Sequence, residues 1–186
     1  MEMRTAKAAD LEAIREIDGV VQSTQYLHVE HSGEGMNLSL RIELRDRREK
    51  LIQANPLSDE LTFAWRQMTS GADEGTALVM EHDGQVVAAL IALPRPEAGV
   101  LQLLDLRVDW DFRRQGLGQS LLYRLIMIAR EQGHRAVMAE VPADNAPAAA
   151  LLHKCGFQLS GLDARRRSNH DLVKESATLF WYAALD

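Results

Sequence analysis

The stretch Asp109–Gly133 constrains this chain more than any other. It offers a strand end, a turn bearing two arginines and two glycines, and then a long amphipathic run. In Arg113-Arg114-Gln115-Gly116-Leu117-Gly118, neither glycine puts a side chain between the backbone and a ligand, and either can adopt φ > 0 in a tight turn. Leu117, Leu121, Leu125 and Ile128 recur at helical spacing, Leu122 and Ala129 widen the stripe, and Gly133 supplies a stop. Amides in the first turn of such a helix lack internal partners and, with the helix dipole, favour an anion. Arg113 and Arg114 offer charge-assisted donors. The pattern predicts a diphosphate held by backbone and implies no nucleotide class.

Bulk properties narrow the field. A chain of 186 residues, 46% hydrophobic, is long enough for one domain with its own core, so 1–186 is read as a single α/β domain. A formal charge of -6 argues against general nucleic-acid affinity and suits a cationic substrate. Cys155 is the only cysteine, which excludes an internal disulfide, and it is expected to be packed rather than nucleophilic. With no apolar run of about 18 residues and no signal-peptide pattern, the expectation is a cytoplasmic protein without a membrane segment. His28 and His31 do not share a face of a regular strand, so no metal site is expected.

Met1–Ala6 suits an edge strand, and Asp10 caps a first helix through about Asp18. Tyr26–Val29 and Leu38–Leu44 alternate as a hairpin around His31–Gly35, with Arg41, Glu43 and Arg45 on its polar face. The charged run Arg45–Lys50 reads as solvated surface. Ser58 caps a helix over Asp59–Met68. Thr76–Glu81 and Gln85–Leu93 form a hairpin through Asp83-Gly84, Pro94-Arg95-Pro96 stops the second strand, and Gly99–Val108 adds a third. After the organising helix, Arg135–Val141 is placed for parallel pairing through a right-handed crossover. A second, alanine-rich helix covers Asn145–Lys154, and Phe157–Leu162 and Ala177–Ala184 are late strands in a mixed sheet.

This order of elements resembles the GNAT superfamily of N-acetyltransferases. Arg113–Gly118 matches its arginine/glutamine, two residues, glycine, one residue, glycine pattern, and Asn145 with Lys154-Cys155-Gly156-Phe157 matches the second half of the cofactor region. Ile17-Asp18-Gly19, Asp105-Leu106, Glu140-Val141, Asn145–Ala148, Gly161-Leu162-Asp163 and Ala177–Tyr182 are similar to the streptothricin/nourseothricin acetyltransferase group. Those enzymes acetylate an amine in the β-lysine part of a cationic antibiotic. The resemblance implies a GNAT fold, a mixed central sheet flanked by helices with a splayed parallel strand pair, and acetyl coenzyme A as cofactor.

On that resemblance the cofactor lies against Arg113, Arg114, Gln115, Gly116, Leu117, Gly118 and Gln119. Its extended arm pairs with Leu106, Arg107 and Val108, and Asn145 either caps its helix or also touches the cofactor. A backbone N–H near Val108 is the expected stabiliser of charge developing during amine attack. A lysine-like ammonium, with a reference pKa near 10.4, must lose a proton before attack. Glu140 and Asp105 are the two candidates for base or amine anchor. Asp163 is a candidate for holding a distal amine, and Trp181 or Tyr182 for lining the acceptor cleft. Leu152 stands where many family members carry a tyrosine that protonates the leaving thiolate; solvent, Tyr26 or Tyr182 would replace it.

The favoured activity is acetyl transfer to a primary amine of a small cationic substrate such as a streptothricin-type antibiotic. The alternatives are a protein or peptide N-acetyltransferase and a non-catalytic acyl-coenzyme A-binding protein. The reading leaves room for a homodimer.

Overall fold

The computed structural model describes residues 1–185. In chain order the strands are β1 (Glu2–Thr5), β2 (Val21–Glu34), β3 (Asn37–Gln53), β4 (Thr76–His82), β5 (Gln85–Arg95), β6 (Val100–Val108), β7 (Ala136–Pro142), β8 (Gln158–Asp163) and β9 (Thr178–Ala184). The helices are α1 (Leu11–Glu16), α2 (Asp59–Thr69), α3 (Leu117–Glu131) and α4 (Ala146–Lys154). A seven-stranded sheet runs β1-β4-β5-β6-β7-β9-β8, and β2 with β3 makes a separate two-stranded sheet. Contacts group the chain into two compact units. Among the described residues one comprises 1–20, 54–139 and 182–185; the other comprises 21–53 and 140–181.

In the first unit, β1, β4, β5 and β6 pair antiparallel. The two-residue turn between β4 and β5 works because Asp83 and Gly84 both sit at positive φ, 50° and 82°, as a tight hairpin demands. β6 and β7 pair in parallel from Val100↔Ala136 to Leu103↔Ala139, the crossover between them being α3. Helix α3 buries Leu117, Leu121, Leu122, Leu125 and Ala129. On the other side of the core, Trp65 from α2 and Ile14 from α1 pack with Val79, Ala89 and Ile91. The Ser58 hydroxyl accepts from the Leu61 amide at 3.1 Å and so starts α2.

The second unit holds the β2–β3 hairpin with α4, β8 and most of β9. The hairpin exceeds the expected length, pairing from Glu34↔Asn37 back to Val21↔Gln53. Arg45–Lys50, read from the sequence as solvated surface, lies inside β3, and Arg47–Lys50 falls where the register jumps from Gln25↔Asp46 to Ser23↔Leu51. At this bulge Arg48, Glu49 and Lys50 are exposed, whereas Arg47 is half-buried with its guanidinium 5.4 Å from the centre of the Tyr26 ring. β5 likewise outruns its predicted stop and reaches Arg95 through Pro94. α1 is shorter than predicted, ending at Glu16.

Asp10 ties the amino-terminal strand to α1. Its carboxylate accepts from Arg4 Nη1 at 2.8 Å and Nη2 at 2.9 Å, and from the Lys7 amide at 2.7 Å. The Arg4 bonds hold the Asp10 carboxyl below its ordinary range, against the opposing effect of burial. A depressed carboxyl stabilises the fold above its unfolded pKa, near 3.9, and that contribution is lost as pH falls through the folded value. Asp10→Asn is therefore expected to cost about 1–3 kcal/mol near pH 7. In urea titrations repeated in increasingly acidic buffer, the gap from the parent should close.

Candidate functional site

The turn after β6 is built by backbone geometry. Asp109 accepts from the Asp111 amide at 3.1 Å, starting a short 3-10 turn over Trp110–Phe112. Arg114 and Gly116 then take left-handed conformations, φ 63° and 86°. A Cβ on Gly116 would meet nothing within 4 Å, so the space over this residue is open. α3 starts at Leu117 without a side-chain cap, and its first internal bond runs from the Ser120 amide to the Gly116 carbonyl at 2.9 Å. The amides of Leu117, Gly118 and Gln119 precede that bond and make up the open first turn. This donor set fits a diphosphate, and with it acetyl coenzyme A.

Arg113 does something the sequence does not announce. Its Nε donates to the Val108 carbonyl at 3.0 Å, Nη1 to the Val20 carbonyl at 2.7 Å and Nη2 to the Asp18 carbonyl at 2.8 Å. The guanidinium also lies 4.8 Å from the centre of the Trp110 ring. Burial pulls its pKa below the usual arginine range, against the pull of Asp18 and Asp109. The side chain fixes the turn that carries the amides. Arg114 and Gln115 are exposed; Gln115 Nε2 donates to the Asp111 carbonyl at 3.3 Å and Gln119 Nε2 to the Tyr123 hydroxyl at 3.0 Å.

A bulge shapes β6. Ile91 pairs with Asp105 but Ala92 with Leu103, so Leu104 is the extra residue. It falls directly after the last β6–β7 pair, Leu103↔Ala139, and a bulge bends and twists its strand there. Beyond it, Asp105 and Arg107 share a buried face. Arg107 Nε meets Asp105 Oδ2 at 2.6 Å and Nη2 meets Oδ1 at 3.1 Å. Arg107 Nη1 is buried without a hydrogen-bond partner among the described residues. A Cβ on Gly19 would come within 2.7 Å of the Asn55 carbonyl and 3.4 Å of that Nη1, so only glycine fits over the pair. Leu106 and Val108, half-buried, point to the other face.

In the second unit, Glu140 lies on the half-buried face of β7 with Met138, whereas Ala139 and Val141 are buried. Arg166 Nη2 donates to both Glu140 carboxylate oxygens, at 3.2 and 3.1 Å. Asn145 caps α4, accepting from the Ala148 amide at 3.3 Å. Asp163 accepts from the Arg165 amide at 2.8 Å. Trp181 is buried and its indole N–H has no hydrogen-bond partner among the described residues. Leu152 is buried too, and Tyr182 is half-buried. His28 pairs with Glu175 at 3.0 Å, and no group of three His, Cys, Asp or Glu among the described residues could hold a metal.

Sequence reasoning overlooked Asp144, half-buried between β7 and the α4 cap. Burial pushes its carboxyl above the ordinary aspartate range, against Arg167 and Arg47. A carboxyl so displaced beside a candidate site is a recognised functional signature. Its position just before Asn145 was the one available clue.

With this geometry in hand, the sequence matches the acetyltransferase (GNAT) family over residues 40–157, well over half of the chain. The chain belongs to the GNAT family. Among curated relatives of this GNAT protein, ribosomal protein bS18-alanine N-acetyltransferase of Escherichia coli K12 is 32% identical over 98 residues, covering 51% of this chain and 65% of the relative. The chain thus spans just under two thirds of that relative's length. Streptothricin acetyltransferase of Streptomyces lavendulae is 27% identical over 163 residues, 88% of this chain and 84% of the relative. The crystal structure of nourseothricin acetyltransferase superposes with a TM-score of 0.79 at 22% identity, covering 100% of this chain and 98% of that one. A Bacillus anthracis protein solved with acetyl coenzyme A also gives 0.79, at 17% identity and 100% and 97% coverage. At these identities the superpositions establish the shared fold.

Because Arg113 serves three carbonyls, Arg113→Gln should lower stability by about 1–3 kcal/mol. Thermal melts compared with Arg114→Gln, an exposed control expected to stay within about 0.5 kcal/mol, check this.

Proposed function

We propose that this GNAT protein is a cytoplasmic, acetyl coenzyme A-dependent N-acetyltransferase, acting as one catalytic domain on a primary amine of a small cationic substrate. Streptothricin-type antibiotics are the acceptor class to test first. The observation that carries the reading is the uncapped α3 start behind the left-handed Gly116, within the matched family region. The 88% coverage by the Streptomyces lavendulae streptothricin acetyltransferase supports the choice of acceptor.

In this reading, the amides of Leu117, Gly118 and Gln119 bind the diphosphate. Arg114, exposed beside them, adds charge, and Gln115 and Asn145 are each assigned a cofactor contact. Leu106, Arg107 and Val108 present main-chain groups to the cofactor's amide-bearing arm, aided by the bulge that ends pairing with β7. When bound, acetyl coenzyme A supplies an acyl carbon activated as a thioester. Glu140, on the less buried face of β7, attracts the acceptor ammonium and takes its proton. Asp105, gripped at both oxygens by Arg107, is the second candidate for base or amine anchor. Asp163 and Trp181 contribute to the acceptor side. Leu152 has no proton to give, so a departing thiolate would take its proton from solvent, Tyr26 or Tyr182.

A second reading, acetylation of a protein amino terminus, draws support from the 32% identity to the bS18-alanine enzyme. Thiol release measured with acetyl coenzyme A across streptothricin, polyamines, aminoglycosides and short peptides separates the two. The expected result is turnover on streptothricin, and turnover on peptides alone would replace the first reading by the second. Binding of acetyl coenzyme A without turnover on any amine would make the chain a binding protein. Glu140→Gln should lower kcat by about 100-fold or more, most strongly below the amine's pKa. Unchanged pH–rate profiles in both Glu140→Gln and Asp105→Asn would remove the carboxylate base. Gly116→Val, strained and filling the open space, should raise the KM for acetyl coenzyme A by about tenfold or more.

A further inference from the structure

The β2–β3 ribbon has two unlike faces. Opposed residues of an antiparallel pair share a face, and the register Leu27↔Leu44, Val29↔Ile42, His31↔Leu40 gathers the aliphatic side chains on one side. On β2 this face is covered, since Leu27 and Val29 pack around a small crevice with Ala143, Leu172 and Ala177. On β3 it is open: Leu38, Leu40 and Leu44 are 50%, 42% and 55% exposed. The stripe from Leu38 to Leu44 is about 20 Å long. Among the described residues its sheet has no third strand, so the β3 edge is unpaired as well. A two-stranded ribbon is marginal alone, and an exposed edge of this length invites a strand.

The charges on the opposite face indicate which strand. Arg41, Glu43 and Arg45 alternate there, Glu43 already meeting Arg45 and, at 3.4 Å, Arg41. Laying β3 antiparallel against a second β3 with the two-fold axis at Ile42 places Arg41 opposite Glu43 twice. The same register sets Leu40 opposite Leu44 twice and Ile42 opposite Ile42. Centring instead on Arg41 or Glu43 sets like charges against each other, which is unfavourable. A shift by one residue turns the leucines onto the charged face. Centring on Leu40 pairs no opposite charges, and centring on Leu44 pairs Glu43 with Arg45 but sets Arg41 against Arg47, so Ile42 is the centre of best self-complementarity, as an isologous contact requires.

We propose that β3 is a homodimer interface, in which two copies of this chain join their hairpins edge to edge about Ile42 into one four-stranded sheet. The contact sits on a ribbon that contributes no residue to the α3 turn, and it holds whether or not the acceptor assignment does. It removes the open edge and sets the two aliphatic stripes side by side on one face of the joined sheet.

Sedimentation of the full chain over about 1–100 μM tests it directly, a range typical of transient to stable dimers. The expected mass is that of a dimer. Glu43→Arg sets Arg41 against arginine and should weaken the dimer by about tenfold or more. The double swap Arg41→Glu with Glu43→Arg should restore it. Ile42→Cys should form an intermolecular disulfide on mild oxidation, whereas Asn37→Cys should not. All these positions are at the surface or half-buried, and circular dichroism verifies that each variant is folded. A monomer at every concentration overturns the proposal. So does a dimer indifferent to Glu43→Arg, a swap that fails to restore, or a cysteine at 42 that does not cross-link.

Discussion

The Arg113 guanidinium is the contact on which the rest of the architecture depends. Three carbonyls from two distant stretches, Val108 at the end of β6 and Asp18 and Val20 before β2, converge on one side chain. None of the three belongs to a helix, so each needs a donor from elsewhere. A partly buried charged donor is worth more to such acceptors than a neutral one. A lysine, with a single ammonium, lacks the planar fork that reaches three separate oxygens. The turn leading into α3 thereby inherits a fixed geometry, and the amides of Leu117, Gly118 and Gln119 are held ready before any anion arrives.

A second constraint sits one turn of strand earlier. Asp105 and Arg107 are buried together on β6, next to the bulged Leu104. Burying two charges is expensive, and such a pair seldom adds net stability over well-packed apolar residues. Its place beside the strand end that leaves β7 fits a role in keeping that segment rigid and polar. Gly19 belongs to the same arrangement, since any side chain there would strike Asn55 and approach Arg107. The loop before β2 is therefore positioned by two arginines, one through its carbonyls and one through the space it leaves.

Much of this was legible in the sequence where the signal is local. The periodicity of Leu117, Leu121 and Leu125 and the Gly116 turn fixed α3; Asp83-Gly84 fixed the β4–β5 hairpin; and Ser58 fixed the start of α2. Parallel pairing of β6 with β7 followed from the helical crossover. The illegible parts are non-local. Alternation in β3 blurs at Arg47–Lys50 because the bulge breaks the period there, so the ribbon looked shorter than it is. The role of Arg113 is settled by oxygens about 90 residues away in sequence. Asp144 is unusual only because of what surrounds it, which no pattern of neighbours in the chain records. The bulge at Leu104 has no glycine to mark it.

Cys155, at the end of α4, is 5% exposed, and burial raises its thiol pKa. A thiol both shielded and reluctant to ionise reacts slowly with disulfide reagents, because the thiolate is the attacking species. As the protein's sole sulfhydryl, it leaves colorimetric detection of liberated coenzyme A nearly free of background. The same burial removes this cysteine from the ready thiol–disulfide exchange open to an accessible, acidic one.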